Sequence, residues 1–282
     1  MAITKDTVHK LTAKTAAAGA GILTIPAFIV DTPTSSDSTL TVGVSIGSIA
    51  AVSSIMRDGQ SLTLVGAQTN TGNCRAELWR LVGPNEGTAD IVITFSISTR
   101  AVATALTLVD VYGPTPFDTY LGATGLSQDA TLTYTNGSSG DLAVVVVAKL
   151  DSTEPDLTPG TATVQEGEDV TADGTAALNV VHFMGTEPIA APSQVVNATW
   201  ATTDREWALV VASANAMAAI STSFQWKGPN NCQLQGFATE MEFDGIYTIP
   251  MAVFQGFYGN GGIELDSDGV ISGNDDIRLL KQ

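Results

Sequence analysis

Few residues in this chain have the types and spacing that chemistry requires. Near the C-terminus, Glu264-Leu265-Asp266-Ser267-Asp268-Gly269 is followed by Asp275. Oxygen ligands then fall at loop positions 1, 3, 5 and 12 with glycine at 6, the calcium spacing of an EF-hand. Glu at the first position and the short Asp at the twelfth depart from that pattern. No entering helix precedes the loop, and Asp276–Lys281 would have to supply the exit helix. A plain hairpin, 262–265 against 270–272, is the competing reading. Calcium held by Glu264, Asp266, Asp268 and Asp275 is thus the one cofactor the sequence allows; otherwise none is expected.

The remaining signals are weaker. Gly43-Val44-Ser45-Ile46-Gly47 matches the G-x-S-x-G nucleophile elbow, which has mechanical meaning only at a strand-to-helix turn with an acid and a histidine downstream. The two histidines are His9 and His182, too few for a zinc site built on His and Cys. Glycosidase chemistry needs only two carboxylates about 5–10 Å apart; Glu166, Glu168, Glu240 and Glu242 are available, and nothing singles out a pair. Cys74 and Cys232 lie far apart with no CxxC partner, open to reading as buried thiols or as a disulfide. The expectation is a protein that is not an enzyme.

Elements must position any such residue, and composition bounds them. The chain has 282 residues, 44% hydrophobic and only 15% charged, enough for a large core without staples. Twelve basic against 29 acidic residues give −17. Such a chain repels a phosphate backbone, so no nucleic-acid partner is expected. No apolar run reaches the roughly 18–20 residues of a membrane span, so no membrane role is expected either. Scarce charge points instead to surface hidden against copies or partners.

From Leu40 to about Ala214 the signal is β throughout. Apolar or alternating runs recur at Leu40–Ile46, Ser61–Ala67, Arg75–Leu81, Asp90–Ile97, Ala103–Val109, Ala130–Tyr134, Leu142–Ala148, Ala176–Met184, Val195–Trp200 and Trp207–Ala212. Alternation puts Ile91, Ile93, Phe95 and Ile97 on one face of a strand. Asp58-Gly59 and Asn136-Gly137 read as tight hairpin turns. Val144–Val147, apolar on both faces, predicts a central strand. Short strands with Gly, Asn and Asp between them predict an all-β, jelly-roll-type β-sandwich over 39–214.

The flanks differ. Over 1–38, Lys5, Lys10 and Lys14 precede an apolar stretch from Ala16 to Val30. It mimics a signal peptide but lacks an A-x-A cleavage site, and reads as an uncleaved arm laid on another surface. Removing it is expected to leave the sandwich intact. Residues 215–282 read as a small Gly- and aromatic-rich β section. The expected interface residues are Ile22, Leu23, Ile25, Phe28 and Ile29 in the arm, and Trp226, Phe254, Phe257 and Tyr258 in the tail. Aromatics of this density suit an interface or an ordinary core.

Arg75-Ala76-Glu77-Leu78-Trp79, Ser139-Gly140-Asp141-Leu142-Ala143 and Trp207-Ala208-Leu209-Val210 occur in that order. In this the middle region resembles β-sandwich modules of phage virion and bacterial surface structural proteins. The resemblance covers roughly 40–214 and implies a structural or adhesive part, with no catalysis. The expected function is a non-enzymatic structural subunit of an assembled particle, a phage virion protein such as a capsid decoration (cement) protein or a head or tail appendage. Its partners would be copies of itself and other subunits such as a major capsid protein. Its place would be the virion, assembled in the host cytoplasm, or alternatively an extracellular surface. The competing function is a carbohydrate-binding jelly roll on a surface or spike protein, with glycan as partner and Trp79, Trp200 and Trp207 as stacking candidates, although their places on predicted strands favour the core for each.

Overall fold

The computed structural model describes residues 3–6, 8–15, 19–31, 38–71, 73–151, 157–160, 163–171, 179–190, 193–200 and 204–217. Beyond these it describes the short strands 222–227, 233–238, 246–247, 261–264, 271–272 and 278–281. All regular structure among the described residues is β. Two units divide the chain, Met1–Met217 and Ala218–Gln282.

The first unit begins with β1 (Thr4–Lys5), β2 (Leu11–Lys14), β3 (Ala20–Val30), β4 (Ser38–Ile46), β5 (Val52–Arg57), β6 (Gln60–Ser61), β7 (Thr63–Asn70), β8 (Cys74–Val82), β9 (Gly87–Thr99) and β10 (Ala101–Val109). It continues with β11 (Leu121–Ser127), β12 (Asp129–Tyr134), β13 (Leu142–Asp151), β14 (Thr158–Pro159), β15 (Val164–Val170), β16 (Asn179–Pro188), β17 (Gln194–Thr199) and β18 (Arg205–Ala214). Every pairing is antiparallel. The first large sheet runs β1-β10-β4-β8-β7, with β2 also on β10, and the second runs β11-β18-β13-β16-β15. Two smaller sheets run β3-β9-β5-β6 and β12-β17-β14.

The four sheets stack as four layers around three apolar cores. One core joins the β3-β9-β5 sheet to one face of the first large sheet, through Leu23, Ile25, Phe28, Ile55, Ile91 and Ile93 against Leu40, Val42, Val44 and Ile46. A second lies between the two large sheets, where Leu78, Val102 and Leu106 meet Val144, Val146, Met184 and Val210. The third joins the second large sheet to β12-β17, through Val145, Val147, Phe183 and Leu209 against Tyr134, Val196 and Ala198. Val144 and Val146 thus face one core and Val145 and Val147 the next, so the four-valine run is apolar on both sides of a central strand.

Two sequence expectations are corrected here. The segment 1–38 is not an arm on another molecule but supplies β1, β2 and β3 to the chain's own sheets. Leu23, Ile25 and Phe28 are buried within its own core, Phe28 completely, while Ile22 is 57% exposed and Ile29 half-buried. The physical reason is the pairing of β3 along β9, which turns alternate side chains inward; an irregularity between Ile25 and Phe28, with Ala27 at φ 51°, absorbs Pro26. The Asn136-Gly137 hairpin is also absent. Its flanking strands β12 and β13 belong to different sheets, and the chain turns instead at Ser138–Asp141, where Asp141 Oδ2 accepts the Ser138 N–H and Gly140 has φ 100°. The Asp58-Gly59 turn does form a hairpin, with φ 47° and 74°, between β5 and β6.

The second unit contains β19 (Thr222–Lys227) paired with β20 (Gln233–Ala238), β21 (Ile246–Tyr247) with β23 (Ile271–Ser272), and β22 (Gly261–Glu264) with β24 (Arg278–Lys281). The hairpin expected between 262–265 and 270–272 is therefore replaced by two separate pairings. The exit helix required by a calcium loop is replaced over 278–281 by a strand.

Candidate functional site

The G-x-S-x-G serine lies on β4 with its side chain between the two large sheets. Ser45 Oγ is 2.8 Å from His182 Nδ1 on β16, a pairing that on paper suggests a Ser–His dyad. The proton order excludes it. Ser45 Oγ donates to the Val147 carbonyl at 2.9 Å, so its remaining contact accepts from the His182 Nδ1–H. Nε2 then accepts from Thr104 Oγ1 at 2.9 Å, and Thr104 meets Thr12 Oγ1 at 2.8 Å. A general base would need the reverse polarity toward serine. Both Ser45 and His182 are fully buried, and burial pushes the imidazole pKa down to about 3. This is a neutral, satisfied polar line tying two sheets together.

A second buried cluster centres on Glu166, at an irregularity of β15 between Gln165 and Gly167. Lys5 Nζ lies 2.6 Å from Oε1, Lys10 Nζ 3.3 Å from Oε2, and Thr186 Oγ1 donates to Oε1 at 2.5 Å. Burial raises the Glu166 pKa, but the hydrogen bonds from Lys5 and Thr186 and the charges of Lys5 and Lys10 together hold it below the ordinary value. Lys14 adds a pair with Asp169 at 2.8 Å. Three lysines of the first segment thus fasten β1 and β2 to the second large sheet. Glu168 accepts from Leu157 N and Gln165 Nε2, so Glu166 and Glu168 are engaged internally, while Glu240 and Glu242 lie outside the described residues.

Arg75-x-Glu77-x-Trp79 proves to be one such internal network on β8. Glu77, 1% exposed, accepts from Arg75 Nε, Trp79 Nε1 at 2.7 Å and Val52 N at 3.2 Å. Trp79, Trp200 and Trp207 are all buried; Trp207 Nε1 donates to Ser127 Oγ, and Lys149 Nζ sits 5.1 Å above the Trp200 ring. None presents a ring face for a sugar, so the three are core residues, as their places on strands led one to expect, and not stacking platforms. Cys74 is a buried free thiol raised to about 12 by burial; Cys232 lies outside the described residues.

Among the described residues no three His, Cys, Asp or Glu side chains are grouped to hold a metal. Of the expected calcium ligands, Glu264 ends β22, and Asp266, Asp268 and Asp275 lie outside the described residues. Of the expected tail contacts, Trp226 lies on β19, and Phe254, Phe257 and Tyr258 lie outside them too. Among the described residues no helix is long and apolar enough to cross a membrane.

One outward face belongs to the β3-β9-β5 sheet; the β12-β17-β14 sheet presents another, where Val195 is exposed beside Thr133. Register aligns Ile22, Thr94 and Ser54 in one row and Thr24, Val92 and Met56 in the next. Ile22 is 57% and Met56 37% exposed, and no charge stands in either row. Sequence reasoning found Ile22 but not this face, because Ser53-Ser54 hides the alternation of β5. No family model, curated protein or solved structure matches the chain.

Proposed function

We propose that the chain is a non-enzymatic structural subunit of an assembled particle, a phage virion protein acting as a capsid decoration (cement) protein or a head or tail appendage. Two uncharged rows on the outward face of the β3-β9-β5 sheet, bordered on β9 by the exposed Asp90, carry this reading. In a chain with only 15% charged residues, a two-row patch of Ile, Val, Met, Thr and Ser resembles the charge-depleted centre of a protein interface. Its partners would be copies of this chain and other shell subunits such as a major capsid protein, without nucleic acid or membrane.

We read the first unit as two jelly rolls in series. Strand order supports this. In 4–109 the first strand (β1 and β2) pairs with the last, and the third lies beside the last; β3-β9-β5 repeats the nesting in the smaller sheet. The strand order over 121–214 is the same. The fifth strand, β7 or β15, sits in the large sheet, making each half five strands plus three rather than four plus four.

The test is incorporation. An Ile22→Lys/Met56→Lys chain should keep its fold by circular dichroism and disappear from purified particles imaged by electron cryo-microscopy, where the unaltered chain occupies fixed positions. Absence of the unaltered chain from particles, or unchanged incorporation of the variant, would overturn the reading.

A further inference from the structure

The two halves of the first unit correspond strand by strand. β2, β10, β4, β8 and β7 match β11, β18, β13, β16 and β15, and β3, β9 and β5 match β12, β17 and β14. The match extends to single residues. The ladder of β7 on β8 shifts between Leu64 and Gly66, and that of β15 on β16 shifts between Gln165 and Gly167. Anchoring the alignment there gives one row across each large sheet. The first is Thr12–Thr104–Gly43–Leu78–Gly66. The second is Gly122–Val210–Val146–Met184–Gly167.

These rows meet head to tail. A Cβ on Gly43 would stand 2.8 Å from Val146 Cγ2, its own counterpart, and 3.0 Å from Met184 Sδ. A Cβ on Gly167 would meet Thr104 and Thr12 at the opposite end of the other row, and one on Gly66 would meet Tyr120, next to β11. Element packing is reciprocal in the same sense: β10 lies against β15 and β16, β18 against β7 and β8, and β4 against β13. A position touching its own equivalent, with the packing of the elements around it exchanged, marks an approximate two-fold axis near Gly43 and Val146.

We infer that the two large sheets present one self-recognition surface, and that the chain is the covalent fusion of two copies of an eight-stranded unit whose partner is a second copy of itself. The inference is independent of the particle in which the chain works. Self-complementarity explains why so apolar a five-stranded face needs no other cover, and why glycines fall where the rows cross.

The axis makes a specific demand on packing. Leu78 stands to Val146 as Met184 stands to Gly43. Exchanging Gly43 and Val146 alone (G43V/V146G) drives the introduced isopropyl group against Met184 and leaves bare backbone opposite Leu78; exchanging only the other pair (L78M/M184L) conserves volume and changes shape alone. Making both exchanges in the full chain restores each neighbour. G43V/V146G should lower the thermal midpoint by about 5 °C or more, L78M/M184L by less, and the joint variant should return to within about 2 °C of the unaltered chain. Where a single exchange fails to fold, folding of the joint variant is the readout. Recovery by G43V/V146G alone, or a joint loss equal to the sum of the two, would overturn the axis.

Discussion

Burial keeps His182 neutral, outweighing the pull of the Asp169 charge toward protonation. The unfolded chain takes up a proton near the ordinary pKa of 6.5, whereas the folded chain refuses it until about 3. Its stabilising contribution is therefore complete above pH 6.5 and drains away as pH falls toward 3, by at most ~1.4 kcal/mol per pH unit. His9 works with the opposite sign. Its hydrogen bond with Asp6 raises its pKa, so its contribution is present below 6.5 and lost as pH rises through the raised value. Glu166, held below 4.5, contributes above that value and loses its contribution as pH falls through its folded pKa. Urea unfolding at pH 7 and about pH 5 in a His9→Ala background should show a loss that His182→Gln flattens; an unchanged slope would contradict the assignment. Glu166→Gln should cost about 1–3 kcal/mol at pH 7, since Lys5, Lys10 and Thr186 lose a charged acceptor. Ser45 should resist a serine-directed fluorophosphonate in the folded chain, with mass spectrometry finding no adduct.

At the scale of elements, the first segment gives the clearest contrast. Phe28→Ala should cost about 3–5 kcal/mol in chemical denaturation, and Ile22→Ala within about 0.5, because one side chain fills a core and the other faces out. Deleting 1–30 removes β1 to β3 and should unfold the first half rather than release an intact sandwich. Strands with clean alternation, β9 above all, were legible from sequence, as were the buried run of β13 and the Asp58-Gly59 turn. β3 was not, because Gly19, Gly21 and Pro26 break its pattern while backbone irregularities preserve its inward face. β15 was not, because Glu166, an acid at an apparent surface position, is buried by lysines 156 and more residues distant. The Ser45–His182 contact was likewise beyond reach: each residue type was visible, but only the stacking of the two sheets brings them together.

The duplication governs the whole first unit yet leaves little trace in the sequence. Matched positions need only fill the shared interface jointly, Gly43 leaving the room that Val146 takes, so Leu78 answers to Met184 and Thr104 to Val210 without shared identity. Among the described residues, the three apolar cores lie in the first unit. Truncation after Met217 should accordingly leave one cooperative thermal transition with its midpoint within about 3 °C of that of the first unit in the full chain; a large drop would show that residues 218–282 are needed to hold the sandwiches together.

The placement of the cations bears on behaviour in solution. Lys5, Lys10 and Lys14 are spent on Glu166 and Asp169, Arg75 on Glu77, Arg57 on the carbonyls of Asn85 and Gly87, and Lys149 over Trp200. Those pairings occupy Glu166, Asp169 and Glu77 as well, so the net −17 stands and sets the field another molecule meets. Approaching copies repel in dilute buffer, and that repulsion fades as the Debye length shrinks from roughly 30 Å at 0.01 M to 8 Å at 0.15 M. Ionic strength would then act as the throttle on coalescence, holding newly made chains apart until the surrounding electrolyte lets them close.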